Sequence, residues 1–149
     1  MSGVAALADA KASEVLASFA RQRLMQTIGA ELTTHAPGRC AITLLFNEAV
    51  GQQGVFHSGV VLAVAHTAGR YAALTLLPLG SEALTLQYRI NMMRPAAGYR
   101  ILAEGMVLRP GQSVCMTRVD VFVEHAGQRT LCAALQQNIL RVPGPKEVS

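Results

Sequence analysis

The sequence predicts an α+β domain in which one antiparallel sheet wraps around a single long apolar helix. Three observations carry this expectation. Gly59–Leu77 is an apolar helical stretch fused directly to a polar turn, Phe56-His57-Ser58. The segments on either side of it read as strands. The element order, a helix, two strands, a long buried helix and four strands, is satisfied by one antiparallel sheet around that helix. With 149 residues one domain is the natural count, spanning 1–149, with flexible tails expected at 1–11 and 143–149.

The elements follow in order. From Ala12 to Ile28 the apolar residues Leu16, Ala20, Leu24 and Ile28 step by four, flanked by Phe19 and Met25, so an amphipathic helix is predicted with Gly29 as its stop. Glu31–Ala36 and Arg39–Asn47 read as strands about the Pro37-Gly38 turn. Glu48–Phe56 is predicted as a loop, and Ser58 as the N-cap of the helix Gly59–Leu77, which Pro78 and Gly80 end. Ala83–Met93 alternates, with Leu84, Leu86, Tyr88, Ile90 and Met92 on one face and Thr85, Gln87, Arg89 and Asn91 on the other. Tyr99–Leu108 is apolar on both faces, as a central strand would be. Val114–Glu124 and Arg129–Arg141 complete the set, separated by the turn His125–Gln128.

Composition narrows the function. Apolar residues make up 51% of the chain and charged ones 15%, which points to a subunit interface covering part of the surface. The net charge of +4 comes from scattered arginines without basic runs or interleaved aromatics, so no nucleic-acid partner is expected; an anionic small ligand suits the charge equally. Cys40, Cys115 and Cys132 lie far apart on strand-like segments and read as reduced, buried thiols of a cytoplasmic protein, with no metal site. His66, Gly69 and Arg70 interrupt the apolar stretch well short of the ~20 residues a membrane span needs.

The order of motifs resembles the hotdog fold, and within it the phenylacetate-degradation (PaaI) type of acyl-CoA thioesterase. The resemblance runs from Phe19 to Leu140. It rests on Phe19-Ala20-Arg21-Gln22 with Ile28-Gly29-Ala30, on Pro37-Gly38, and on Gly54-Val55-Phe56-His57-Ser58-Gly59-Val60. Thr67-Ala68-Gly69 with Ala72-Ala73, Leu84-Thr85, Arg94-Pro95-Ala96 with Gly98, and Arg109-Pro110-Gly111 extend it. The resemblance implies a homodimer or homotetramer (a dimer of dimers) with sites between subunits at the start of the central helix. It implies an acyl-CoA thioester as substrate or ligand, and no other cofactor.

Members of that type usually read His-Gly-Gly where this chain has His57-Ser58-Gly59. By that match, the N–H groups of Ser58 and Gly59 would polarise a thioester carbonyl and His57 would position it. Free N–H groups at a helix start do stabilise an oxyanion, and one well-placed donor is worth about 2.7–4 kcal/mol. The family's base is usually an acid nine residues after that histidine, in an Ala-Asp-Thr-Ala-Gly-Gly segment. Here the segment is Ala65-His66-Thr67-Ala68-Gly69-Arg70, so His66 stands in place of the acid and Arg70 in place of a glycine. Thr85 falls where the family often has Ser or Thr. The upstream Asn or Gln of many members has no clean match, Gly51 lying closer to the aligned place than Gln52 and Gln53; Gln53 is kept as a substrate-binding candidate, while Arg94 and Arg109 match turns near CoA phosphates.

His66 and Arg70 share a helix face by their i, i+4 spacing. An imidazole can act as a general base near neutral pH, and a nearby guanidinium favours the neutral form a base needs. The same pair could instead bind a carboxylate or phosphate without hydrolysis, since arginine grips such groups bidentately. Structural bridging across the subunit interface, from His66 and Arg70 to carbonyls or to a partner's acid such as Glu48, is the third alternative. The residues alone leave all three open.

Overall fold

A computed structural model describes residues 6–144. Its elements are helices α1 (Asp9–Ala20), α2 (Arg23–Ile28) and α3 (Ser58–Leu74), and strands β1 (Glu31–Ala36), β2 (Arg39–Leu45), β3 (Gly51–Gln52), β4 (Val55–Phe56), β5 (Ser81–Met92), β6 (Arg100–Arg109), β7 (Val114–His125) and β8 (Gln128–Pro143). Six strands form one antiparallel sheet in the order β1-β2-β6-β7-β8-β5, and β3 and β4 form a separate hairpin. Helix α3 packs across β2, β6, β7, β8 and β5. This is the predicted hotdog arrangement.

The helix is apolar almost all round because the sheet wraps it. Val61, Val64, Ala65, Ala68, Tyr71 and Ala72 are all buried, against Ile42, Ile101, Val119, Leu135 and Ile139 of the sheet. Full burial of one such aliphatic side chain stabilises by about 1.5–3 kcal/mol, so this contact dominates the fold's stability. The three cysteines are free and buried in the same core.

Several elements depart from the sequence reading. The first predicted helix is two. The N–H groups of Arg21 and Gln22 turn back to Ser18 and Phe19, and Gln22 is extended, so the chain bends before α2. The bend resets the helical phase. Val15, Ser18 and Met25 are buried, Ser18 Oγ lies 2.9 Å from Tyr71 Oη, and Leu16 and Leu24 of the expected stripe face solvent. Gly29 ends α2 in the left-handed region, φ 83°, as predicted. The N-terminal tail expected at 1–11 overlaps α1, where Lys11 is buried; residues 1–5 lie outside the described residues. At the other end Pro143 pairs with Ser81 and the Gly144 N–H donates to Gly80, leaving 145–149 outside the described residues.

Two further corrections bear on the site. The predicted loop Glu48–Phe56 contains a 3-10 turn, Glu48–Val50, and the β3–β4 hairpin. Gln53 and Gly54 at its tip both have positive φ, 54° and 83°, the conformation a two-residue hairpin turn requires. Strand β5 does not alternate uniformly. Thr85 pairs with Ile139 and Gln87 with Asn138, so Leu86 is bulged out between them. The bulge shifts the phase: Ser81, Ala83 and Thr85 turn inward before it and Ile90 after it, while Leu84 and Leu86 are more than half exposed.

Candidate active site

The β4–α3 junction is pinned by backbone bonds before any side chain enters. Phe56 N–H donates to Ala96 and His57 N–H to Val50. His57, not Ser58, is the N-cap: its Nδ1 accepts the Gly59 N–H at 2.8 Å, and its carbonyl accepts from Val60 and Val61. The correction follows from reach, since a histidine ring at the cap position closes on the second helical N–H as a Ser or Asp side chain would. Among the described residues nothing accepts the Ser58 N–H.

Two clefts flank this junction. One, of about 420 Å³, is lined by Gln53, His57, Ser58, Met92, Met93 and Arg94. Cys132 lies at its floor, fully buried, and burial pushes its thiol above the ordinary range, so it offers no nucleophile. The other, of about 510 Å³, is lined by Gly59, Leu62, Ala63, His66, Thr85 and Tyr88. The structure thus brings Gly59, His66 and Thr85 together, and separately His57, Ser58, Gln53 and Arg94.

His66 is half-buried. Its Nδ1 lies 3.1 Å from Thr85 Oγ1 and 3.1 Å from Gln137 Oε1. Thr85 turns inward in phase with Ser81 and Ala83, just ahead of the β5 bulge. Gln137 is 2% exposed, and its Nε2 donates to the His66 carbonyl at 3.1 Å. Sequence reasoning missed Gln137. The signal was there: it falls in phase with Leu135 and Ile139, a polar residue on the buried face of an apolar strand.

Arg70 does not line either cleft. Its Nε donates to the Ala83 carbonyl at 2.7 Å and its guanidinium pairs with Glu82 at 3.2 Å. The acid beside Arg70 is Glu82 of its own chain, where the sequence suggested Glu48. Arg109 sits at the other end of the sheet from the α3 N-terminus, beyond Val107, whose N–H bonds Gly38 beside the helix's C-terminal cap Thr75. Among the described residues, no three His, Cys, Asp or Glu side chains gather to hold a metal, and no helix is long and apolar enough to cross a membrane.

The profile of the Thioesterase superfamily matches residues 53–130, which run from the hairpin tip through His57, His66 and Thr85 into β8. The chain belongs to the thioesterase superfamily. A thioesterase family protein from Silicibacter pomeroyi has the same architecture, with TM-score 0.88 and 30% identity over 90% of this chain and 99% of its own. The PaaI protein of the Escherichia coli phenylacetic acid degradation operon shares the fold at TM-score 0.82 and 17% identity, over 93% of this chain and 98% of its own. So does a thioesterase from Haemophilus influenzae, at 0.79 and 20%, over 90% and 92%. No curated protein matches this superfamily member.

Proposed function

We propose that this protein hydrolyses short-chain or aryl acyl-CoA thioesters, with His66 as general base. The observation that carries the reading is the imidazole of His66, held by Thr85 and Gln137 in a cleft that also reaches Gly59 at the start of α3. Membership of the thioesterase superfamily supports reading that imidazole, close to the start of α3, as a proton acceptor.

In the proposed reaction His66 takes a proton from water as the oxygen attacks the thioester carbonyl carbon. In an assembly that sets the His57 cleft of one protomer against the His66 cleft of another, the tetrahedral oxyanion would be stabilised by the Ser58 N–H and by the Nε2–H that His57 keeps when its Nδ1 accepts from Gly59. Collapse breaks the C–S bond, and the imidazolium returns its proton to the departing CoA thiolate. Gln53 and Arg94, which line the neighbouring cleft, would meet the substrate's polar portion.

Assembly is part of the proposal. Strand β5 is a sheet edge of 12 residues carrying exposed Leu84, Leu86 and Tyr88 next to the His66 cleft. An unpaired edge with apolar side chains favours pairing with a second copy. A homodimer or homotetramer built on that edge would place the two clefts of different protomers near one another.

Binding of an anionic ligand without hydrolysis was the other reading of the sequence, and it leaned on Arg70. Because Arg70 is committed to Glu82 and Ala83, the geometry gives that reading less support. The test is thiol release from short, medium and aryl acyl-CoAs by the native protein and by His66→Ala. Turnover that falls about 10²–10⁴-fold in the variant is the expected result. No release from any ester, or undiminished release by His66→Ala, would overturn the proposal.

A further inference from the structure

Gln137 has a geometry that decides more than packing. Its amide makes two contacts with one residue: Nε2 with the His66 backbone carbonyl and Oε1 with the His66 ring Nδ1, each at 3.1 Å. A backbone carbonyl can only accept, so the NH₂ end of the amide must face it. The other end is then a carbonyl oxygen, which also only accepts. Two acceptors facing at 3.1 Å are repulsive unless the ring nitrogen carries a hydrogen, so Nδ1 is protonated.

We propose that Gln137 is a positioning residue that locks His66 as the Nδ1–H tautomer, leaving the Nε2 lone pair as the proton acceptor. Thr85 Oγ1 shares the Nδ1–H as a second acceptor, which leaves its own O–H to donate to water or substrate. The inference rests on the reading of His66 as base only for its effect on turnover, not for the tautomer.

The surroundings are shaped around this amide. Gln137 and Thr117 are register partners on the inner face of β8 and β7, both buried. Gly69 of α3 lies opposite them. A Cβ built on Gly69 would sit 2.1 Å from Gln137 Nε2 and 2.9 Å from Thr117 Oγ1, so a side chain there is incompatible with the amide where it lies. Thr117 Oγ1 is itself buried with no hydrogen-bond partner among the described residues, so two polar side chains meet here beneath α3. The glutamine is thus held within the core at a position where an apolar residue would pack without needing a partner.

The charged and titratable groups around the ring are few. Arg70, one turn along α3, is neutralised by Glu82 of β5, and Tyr88 of β5 lies 6.5 Å from the imidazole, centroid to centroid. β7 and β8 present Thr117 and Gln137, which are neutral. Among the described residues no carboxylate contacts the imidazole, and the Gln137 amide and Thr85 orient it.

The experiment is a two-bond ¹H–¹⁵N correlation spectrum of the full chain labelled at histidine, with the His66 signals assigned by His66→Asn. The same spectrum and steady-state kinetics are then taken on Gln137→Met. The expected result is the Nδ1–H pattern in the native protein, loss of that pattern in Gln137→Met, and a fall in kcat of about 10²-fold with KM unchanged. An Nε2–H native spectrum, or an unaltered tautomer in the variant, overturns the proposal. If Gln137→Met does not fold, Gly69→Ala, whose Cβ displaces the amide, must show the same tautomer change. If the tautomer behaves as stated while native protein hydrolyses no acyl-CoA, the role of Gln137 stands and the thioesterase reading fails.

Discussion

His57 Nδ1 accepts the N–H of Gly59 at 2.8 Å, so helix α3 is capped by the ring of the residue that precedes it. His57 and His66 consequently present opposite faces to the two clefts. His57 keeps a donor at Nε2, and His66, in the tautomer proposed above, keeps an acceptor there. His57→Ala is expected to cost about 0.5–2 kcal/mol through the lost cap, a fall in Tm of roughly 1–8 °C for a chain of this size. Thermal denaturation checks the stability, and thiol release should fall as well because the cleft loses its donor.

Gly69→Ala reverses a common rule. Alanine in a helix interior is normally more stable than glycine by about 0.8–1 kcal/mol. Here the added Cβ meets Gln137, Thr117 and Val119, all at 3.0 Å or less. The expected outcome is destabilisation of about 1–3 kcal/mol, as for other overpacked cores. Chemical denaturation measures it, and a variant more stable than native would contradict the packing described for β7 and β8.

Arg70→Met tests whether the guanidinium serves the fold or the ligand. It removes the bond to the Ala83 carbonyl and leaves Glu82 without its partner. A loss of about 1.5–3 kcal/mol in denaturant unfolding is expected, the usual range for a hydrogen bond to a charged group. KM for acyl-CoA should stay unchanged. A severalfold rise in KM would place Arg70 in the binding site after all.

Acid sensitivity should centre on Glu124. Hydrogen bonds from Arg100, and then from the Tyr99 hydroxyl, hold its carboxyl below the ordinary value of 4.5. A depressed folded-state value means the group stabilises the fold above pH 4.5 and loses that contribution as pH falls through the lowered value. Glu124→Gln is therefore expected to be less stable than native at pH 7 and to show a shallower decline below pH 4.5. Urea midpoints collected across that range would show whether the two curves converge in acid.

The sequence by itself determined the fold class, the central helix and its polar start, the strand character of the later segments, and His66 and Thr85 as site candidates. These follow from local causes: the periodicity of apolar residues, turn chemistry at Pro37-Gly38 and Pro110-Gly111, and a family resemblance carried on short motifs. Local patterns also misled in definable places. A four-residue step joined α1 and α2 because the bend at Arg21 and Gln22 carries no proline or glycine to mark it. Alternation through Ala83–Met93 hid a bulge at Leu86, since a bulge is a property of the pairing with β8 and not of β5 alone. Ser58 looked like the cap because a histidine ring reaching the helix start depends on the path of β4. The partners of His66 and Arg70 were decided only by tertiary structure. Gln137 lies 71 residues from His66, and Glu82 and Ala83 reach Arg70 from across the α3–β5 connection. Hydrogen-bond partners are set by strand register and by the depth at which a helix sits on a sheet. Neither is encoded in the spacing of residues along one segment.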